Sequence, residues 1–540
     1  MREQVFWGWG EPGAGPPLPQ HADAFLREEL ALPGGAVEAP VALADVRLRA
    51  PELPEAARRG LEHAVGAAHV LDDAETRVLR CRGKSYLDLL AQRAGDCESA
   101  PDAVVRPADH DQVAAVLRIC AEQGVALVPF GGGTSVVGGL EAPREGFAGV
   151  VSLDLGRMDA VEAVDERSLT AVLGPGLRLP EAERALGARG LRLAHVPQSF
   201  EWATVGGCVA TRSAGQSSTG HGRIEENVVA LRCATPAGDL ATLGAPASAA
   251  GPALRELVIG SEGAVGVITR LALRVRPVAA EHRHEGWFAR SFADGAEALR
   301  RLEHEGLAPD IARLSDETET RVGLALAGPG GHARRAGLAA SRALGYGEGC
   351  VVVLGWEGAE GSIGARRRPA ANLLRRAGLL YAGRGPGEAW ARTRFAGPHL
   401  RDDLLDRGAL AETLETATSW TKLEGLRDAV ARSLRDALGH AVVGCHVSHL
   451  YPTGASLYFT VLAARHGSDP VGQWERAKRA ASDAITAAGA TITHHHAVGR
   501  DHGPWLADEH GPLGLELLRA LKDRCDPAGV MNPGVLAERF

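Results

Sequence analysis

The segment Pro129-Phe130-Gly131-Gly132-Gly133-Thr134-Ser135-Val136 has the composition of a phosphate cradle. Its glycines let the backbone turn tightly and bring several N–H groups to one anion, and its hydroxyl side chains can add hydrogen bonds. It has neither the Gly-x-x-x-x-Gly-Lys pattern of triphosphate-binding loops nor the Gly-x-Gly-x-x-Gly pattern of NAD-binding folds. An ordinary glycine-rich turn is the alternative interpretation of this segment taken alone.

Residues that could handle protons and anions occur in the second half of the chain: Tyr458, Arg401 and the run His494-His495-His496. Adjacent imidazoles bring together groups with a pKa near neutrality, which suits proton transfer. A guanidinium binds a carboxylate or phosphate through two parallel hydrogen bonds. Each has a simpler explanation, with Tyr458 as a packed strand aromatic, Arg401 as a solvated helix charge and the histidines as metal ligands.

The elements that would position the glycine segment alternate between strand and helix. A short apolar strand around Val104-Val105 precedes a helix that begins at Asp109 and ends at Gly124. The next strand, Val125 to Phe130, leads directly into the glycine turn. The pattern therefore predicts a strand, helix, strand and loop unit, and the alternation continues to about residue 277.

The second half has a different pattern. Long helical stretches rich in Ala, Arg and Leu, at about 292–306, 333–344 and 403–438, are separated by short strands such as 351–354. This pattern predicts a second, α+β domain. The length of 540 residues agrees, because a single hydrophobic core rarely grows to that size.

The charge balance excludes one class of partner. A net charge of -8 and a pI near 6.2 do not provide the basic surface that nucleic-acid binding requires. The cysteines are scattered without a Cys-x-x-Cys pair, and the chain does not begin with an export signal, so we expect reduced thiols and a cytoplasmic protein. No continuous apolar run reaches the length of about 18 residues that a membrane span needs.

Further segments of similar composition follow at 203–207, 211–215 and 260–269. Together with the first, they resemble the FAD-binding domain of the vanillyl-alcohol oxidase and p-cresol methylhydroxylase family. The resemblance implies an α+β fold, with a two-subdomain FAD-binding domain of that type and an α+β cap domain for the substrate. The residues that it implies at the cofactor are Pro129, Gly131, Gly132, Gly133, Thr134, Ser135, Ser199, Thr204, Gly206, Gly207, Thr211, Ser213, Ala214, Glu262, Gly263, Val267 and Ile268.

The end of the chain extends the resemblance. Segment 526–534 is similar to the family's closing segment, which returns to the flavin domain. The implied organisation is an N-terminal helical segment (1–100), an FAD-binding domain (101–278), a cap domain (279–520) and a C-terminal segment (521–540). Members that attach FAD covalently often do so through a His, and the loop 131–136 contains none, so we expect non-covalent FAD.

Within this family the chain most resembles the alkyldihydroxyacetonephosphate synthases, from Trp7-Gly8-Trp9-Gly10 to the closing segment. The resemblance implies exchange of the acyl chain of acyl-dihydroxyacetone phosphate for a long-chain alcohol, as in ether-lipid synthesis. It implies catalytic roles for Tyr458, Arg401 and the histidine run, and substrate binding by Arg313, Arg401 and Arg500. Peripheral membrane contact and a homodimer are compatible with it, and nucleic acid is not an expected partner.

Two alternatives stay open from the sequence. One is an FAD-dependent oxidase or dehydrogenase of a hydroxy acid or alcohol, and the other is a non-catalytic flavoprotein or metal-binding protein. A zinc site could use His446, His449, His495 and His502. We expect no metal, because the chain lacks the Gly-Asp-Gly-Asn-Leu-His and Glu-His-Gly-Ile-Gly segments of the metal-dependent flavin dehydrogenases.

Overall fold

The computed structural model describes residues 3–15, 17–32, 38–141, 143–328, 339, 341–347 and 349–536. Most of the helical stretch predicted at 333–344 therefore lies outside the described residues, as do residues 537–540 of the predicted C-terminal segment. Among the residues that are described, no helix combines the length and apolar character needed to cross a membrane.

The first half of the chain contains short helices and two small sheets. Its helices are α1 (Gln20–Glu29), α2 (Glu55–Val65), α3 (Ala74–Val78), α4 (Tyr86–Arg93), α5 (His110–Gln123), α6 (Leu179–Gly187), α7 (Val205–Ala210), α8 (Ser218–His221) and α9 (Ile224–Asn227). Its strands are β1 (Val70–Leu71), β2 (Ala103–Val105), β3 (Val125–Phe130), β4 (Gly149–Asp154), β5 (Val161–Asp165), β6 (Thr170–Leu173), β7 (Leu191–Arg192), β8 (Val228–Thr235), β9 (Gly238–Ala241), β10 (Val267–Arg274) and β11 (Arg276–Pro277).

The second half contains longer elements. Its helices are α10 (Phe292–His304), α11 (Glu317–Leu326), α12 (Ile363–Arg376), α13 (Gly385–Thr393), α14 (Gly397–Asp406), α15 (Leu423–Leu438), α16 (Pro470–Ala487) and α17 (Leu506–Cys525). Its strands are β12 (Glu281–Ala289), β13 (Ile311–Ser315), β14 (Cys350–Gly358), β15 (Leu380–Tyr381), β16 (Ala409–Ser419), β17 (Ala441–Tyr451) and β18 (Gly454–Ala464). The predicted α+β class is confirmed.

The glycine segment leaves the end of a buried strand, as predicted. Strand β3 pairs in parallel with β4 in a four-stranded sheet of order β1-β2-β4-β3. Helix α5, which precedes β3, begins where the Asp109 carboxylate accepts a hydrogen bond from Gln112 N, and it ends at Gly124 in the left-handed conformation. The second sheet, of order β5-β6-β10-β8-β9, is antiparallel.

The second half is built on a seven-stranded antiparallel sheet of order β15-β12-β14-β13-β17-β18-β16. Alternate residues of its strands point to opposite faces. Leu414, Cys445 and Phe459 belong to the core formed with the helices, whereas their sequence neighbours on the other face include Glu415 and Tyr458. One face of the sheet is therefore core, and the other is available for a site.

The helix predicted at 403–438 is wrong in its middle. Helix α14 ends at Asp406, Gly408 adopts a positive φ of 74°, and residues 409–419 form the edge strand β16 before α15 begins. The composition suits a helix, but pairing along all of β16 with β18 and burial of most of its side chains outweigh that preference. Strand β16 contributes Glu415 to the sheet.

The closing segment lies against the first sheet. Leu127 N donates to Val530 O (2.8 Å), and Asn532 N donates to Leu127 O (2.8 Å). Asp526 holds the turn that connects helix α17 to this segment. Its carboxylate accepts from Met531 N (2.7 Å) and from Lys522 Nζ (2.9 Å). The contact agrees with the predicted return of the chain, while the boundaries at 100, 278 and 520 stay predictions.

Candidate active site

A cavity of about 600 Å³ lies between the glycine segments and the open face of the seven-stranded sheet. Its volume is within the range of small-molecule and cofactor sites. Every residue predicted at the cofactor, from Pro129 to Ile268, lines it. Of the residues predicted for catalysis and substrate binding, those that line it are Arg313, Arg401, Tyr458, His495 and His496.

The glycine segment packs backbone to backbone against a second cavity segment. A Cβ atom added to Gly132 would lie 2.1 Å from Trp202 O, and one added to Gly131 would lie 2.4 Å from the Thr204 hydroxyl. Gly133 adopts a positive φ of 67°. The segment therefore has to be glycine-rich, and it lines the cavity, which fits the pyrophosphate of a dinucleotide cofactor.

Glu262 joins the third cofactor segment to the histidine segment. Its buried carboxylate accepts from Val498 N (2.8 Å) and from Gly499 N (3.0 Å). Burial raises the pKa of Glu262 to about 7. Asn532 Nδ2 donates to the backbone oxygen of Glu262 (2.6 Å), so the closing segment also supports this wall.

Tyr458 lies among imidazole rings at the sheet face. Its ring stacks on His446 with a centroid separation of 4.9 Å and on His495 at 5.9 Å, while His496 meets it edge-on at 5.5 Å. Burial raises the pKa of Tyr458 to about 12. The phenol is thus protonated at neutral pH and is surrounded by three imidazole rings.

The histidine run divides between the cavity and the interior. His495 and His496 line the cavity, whereas His494 lies behind them and its Nε2 hydrogen-bonds to the Tyr451 hydroxyl (2.5 Å). Burial lowers the pKa of His494 well below its ordinary value and that of His496 to about 3. The prediction of imidazoles with a pKa near neutrality is therefore wrong for His494 and His496, because desolvation disfavours the imidazolium.

An unpredicted cluster surrounds Arg313. Its Nη1 approaches His446 Nε2 (3.0 Å), its Nη2 donates to Glu319 Oε1 (2.5 Å), and His446 Nδ1 lies 3.1 Å from Glu319 Oε2. Burial acts to raise the pKa of Glu319, but His446 and Arg313 lower it to about 2. The charge of Arg313 is therefore largely balanced inside the protein.

Arg401 has hydrogen-bond donors that no acceptor among the described residues pairs with. Its Nη1 donates to Lys84 O (2.6 Å), but Nε and Nη2 are buried without a hydrogen-bond partner among the described residues. Asp402 Oδ1 lies 4.0 Å from its Nε, beyond hydrogen-bond distance. Arg401 lines the cavity, so a bound anion could satisfy these donors.

Two sequence expectations do not fit the geometry. Arg500 is not at the cavity wall, since its Nη2 donates to Pro533 O (3.4 Å) and its backbone follows Val137. The zinc alternative is not assembled, because His446 is engaged by Arg313 and Glu319 while His502 Nδ1 hydrogen-bonds to Ala497 O (2.8 Å). In the described part of the chain a different trio, Glu415, His494 and His495, has ligand atoms within 4.8 Å of one another.

Sequence reasoning did not find Glu319 and Thr413, which line the cavity. They had no recognisable signal, since single polar residues in strands and helices are common. His449, which the sequence suggested only as a zinc ligand, reaches the cavity through an irregularity in the pairing of β17 with β18 between Val447 and Leu450. Its Nε2 donates to Gly215 O (2.8 Å), which fixes the ring orientation.

Known protein families match both halves of the chain. Residues 101–244 match an FAD binding domain, and residues 279–536 match the C-terminal domain of FAD linked oxidases. The solved structure of p-cresol methylhydroxylase has the same fold, with a TM-score of 0.67 at 14% identity, covering 91% of this chain and 99% of that one. The protein is therefore a flavoprotein of the p-cresol methylhydroxylase fold, and its cofactor is FAD.

More similar relatives define the family. Alkyldihydroxyacetonephosphate synthase of Dictyostelium discoideum is 30% identical over 96% of this chain and 87% of the relative. A solved structure of an alkyldihydroxyacetonephosphate synthase has a TM-score of 0.85 at 27% identity and covers 99% of both chains. The chain belongs to the alkyldihydroxyacetonephosphate synthase family.

We predict that the purified protein is yellow and that acid denaturation releases intact FAD into the supernatant. The loop 131–136 places no histidine or cysteine at the predicted pyrophosphate position. Flavin absorbance is measured in the pellet and the supernatant, and flavin retained in the washed pellet would contradict non-covalent binding.

Replacing Gly132 with Leu should weaken FAD binding by roughly tenfold or more, the effect of about 1.4 kcal/mol. The reason is that the new side chain meets Trp202 O and pushes apart two segments that both line the cavity. Gly467→Leu is the matched control, because a Cβ added to this exposed loop glycine meets nothing within 4 Å. Equal FAD affinity in both variants would show that the contact does not shape the site.

Proposed function

We propose that the protein catalyses the FAD-dependent exchange of the acyl group of acyl-dihydroxyacetone phosphate for a long-chain alcohol. The bond from substrate carbon to the acyl oxygen breaks, an ether bond to the alcohol oxygen forms, and a fatty acid leaves, with no net oxidation. Membership of the synthase family supports this activity. The observation that carries it is a cavity that combines flavin segments, an anion donor, a proton-handling cluster and an apolar end.

In its reduced form, bound FAD would supply a nucleophilic ring nitrogen for substitution at carbon. The cavity residues bind and orient the substrate and move protons around it. Arg401 is the proposed phosphate anchor, because its unpartnered Nε and Nη2 can form a bidentate pair with phosphate oxygens. Arg313 has less capacity for this role, since Glu319 and His446 already use both of its terminal nitrogens.

Tyr458 is the proposed proton-transfer residue at the reacting carbon. With a pKa of about 12, its phenol cannot supply a stable phenolate at neutral pH. Proton removal therefore has to be coupled to transfer from Tyr458 to a neighbouring imidazole. His495 stacks on its ring and lines the cavity, so it is the proposed acceptor, whereas a pKa of about 3 makes the neighbouring His496 too weak a base for this step.

The sheet face provides an apolar end for the lipid chains. Leu462 lies four residues beyond Tyr458 on β18, which is about 13 Å at 3.3 Å per residue. There Leu462 and Val442 pack with Leu26 of α1 and with Leu30, which follows that helix. Polar side chains thus give way to apolar ones along one strand, which suits a polar headgroup followed by a long alkyl chain. Because both substrates are lipids, we also propose peripheral contact with a membrane.

Tyr458→Phe should keep the fold and FAD but reduce ether formation by roughly a hundredfold or more, the usual effect of losing a positioned acid or base. Phe retains the ring contacts with the imidazoles and removes only the hydroxyl. Turnover is measured anaerobically with acyl-dihydroxyacetone phosphate and labelled hexadecanol, and Tyr381→Phe, away from the cavity wall, is the matched control.

The same assay separates the synthase from a flavin dehydrogenase. The wild-type protein should form the ether without reducing a dye, and a chelator should have no effect. Reduction of the dye by a hydroxy acid or alcohol, with no ether product, would overturn the synthase proposal while leaving the FAD site intact.

Arg401→Lys should raise the KM for acyl-dihydroxyacetone phosphate by about tenfold or more, since a hydrogen bond to a charged group contributes about 1.5–3 kcal/mol. Lys keeps the charge but cannot make a bidentate pair. Arg500→Lys should leave this KM unchanged, because Arg500 lies away from the cavity wall. A larger effect at Arg500 than at Arg401 would reverse the assignment.

A further inference from the structure

We infer that Glu415 is a positioning residue that holds the His494–His496 backbone so that His495 and His496 face Tyr458 across the cavity. The inference deepens the proposed function and rests on it only where turnover is measured. Glu415 itself is buried in β16 and does not line the cavity, so it acts through the histidines.

The carboxylate of Glu415 accepts hydrogen bonds from consecutive residues of one segment. Its Oε1 accepts from the Thr493 hydroxyl (2.6 Å), His495 N (3.0 Å) and His496 N (2.9 Å). Its Oε2 accepts from His494 N (2.6 Å). Three successive N–H groups therefore converge on one carboxylate, an arrangement that binds anions strongly.

The segment needs this acceptor because it has no regular secondary structure. Helix α16 ends at Ala487 and α17 begins at Leu506, so the amides around the histidines have no helix or strand partners. Buried N–H groups without an acceptor would each cost about 1–3 kcal/mol. Glu415 thus fixes the backbone at residues 494–496, which sets the orientation of the His495 and His496 side chains.

The register of the sheet explains why the histidines lie next to Tyr458. Glu415 on β16 is directly opposite Tyr458 on β18, and Tyr458 is directly opposite His446 on β17. The histidines held above Glu415 are consequently brought next to the Tyr458 ring. A shift of the segment by about 1 Å would be enough to reduce turnover strongly, because proton transfer depends on hydrogen-bond geometry.

Glu415 also sits beside the imidazole nitrogens. His495 Nδ1 is 3.4 Å and His494 Nδ1 is 3.8 Å from Oε2. The carboxylate favours the tautomer of His495 that carries its proton on Nδ1, where the proton points to Glu415 Oε2 and to His494 Nδ1, 3.1 Å away. Neutral His494 then carries its proton on Nε2 and donates it to the Tyr451 hydroxyl. This arrangement leaves His495 Nε2 free to accept a proton, so the carboxylate favours one arrangement of protons as well as one backbone.

The same trio of Glu415, His494 and His495 could be considered a metal site, but its geometry favours positioning. Both carboxylate oxygens already accept hydrogen bonds from the backbone. A metal ion would have to compete with those donors and leave the amides unsatisfied.

The test uses the full-length FAD-loaded protein and the variants Glu415→Gln and Thr493→Val. Gln cannot accept from the His494 amide at its NH₂ group, and Val removes a single donor to the carboxylate. Hydrogen exchange of the amides 494–496 is measured by mass spectrometry, together with kcat, KM and FAD occupancy. Glu285→Gln is the control, since Glu285 is equally buried in the same sheet but binds Trp287 Nε1 and Arg367 away from the cavity.

We expect Glu415→Gln to accelerate exchange at 494–496 and to lower kcat about a hundredfold, with KM within about twofold of wild type and FAD retained. Thr493→Val should show the same pattern with a smaller loss of kcat. If Glu415→Gln does not fold, Thr493→Val provides the test. Glu285→Gln should lose stability but keep kcat.

Faster exchange with unchanged kcat, or a lower kcat with unchanged exchange, would overturn the inference. If the wild-type protein itself forms no ether, the proposed function fails. The inference is then decided by exchange and by the visible spectrum of bound flavin, which should shift in Glu415→Gln as the imidazoles of His495 and His496 move. An unchanged spectrum and unchanged exchange would overturn it.

Discussion

Two buried carboxylates hold one irregular segment in place, and the site depends on them. Glu415 accepts from the amides of residues 494–496, and Glu262 accepts from those of Val498 and Gly499. The first carboxylate belongs to the seven-stranded sheet and the second to a segment that lines the cavity beside the glycine cradle. The histidine segment is therefore fixed from both sides, and this fixes its distance from the cofactor segments and from Tyr458.

Burial of the histidines changes their chemistry. Desolvation lowers the pKa of His496 to about 3 and raises that of Tyr458 to about 12, so both groups are neutral at physiological pH. Full transfer of a proton from Tyr458 to His496 would create a phenolate and an imidazolium, which the same burial disfavours. Proton transfer at Tyr458, as proposed above, would therefore have to be concerted with the bond changes at the substrate.

The cofactor site was the most predictable part because its requirements are local. Glycines at 131–133 are demanded by close backbone contacts and a positive φ, and all the residues predicted around the cofactor line the cavity. His494 was misplaced because its neighbours His495 and His496 line the cavity while it points elsewhere, and Arg500 was misplaced because its side chain packs against Pro533, distinctions that only tertiary packing makes. Strand β16 was predicted as helix for the same reason, and Glu415 was missed because an acceptor for distant amides leaves no sequence pattern.

The donors of Arg401 bear on the charge of the ligand that the cavity can bind. Its guanidinium is carried by helix α14 and held by the hydrogen bond to Lys84 O, while Nε and Nη2 have no hydrogen-bond partner among the described residues. An anion in the cavity would satisfy these donors, so the arrangement would favour a substrate with a charged headgroup, as proposed above. Alkyl chains alone, which would contact only the apolar end near Leu462, would leave those donors unsatisfied and should therefore bind less well than a phosphorylated lipid.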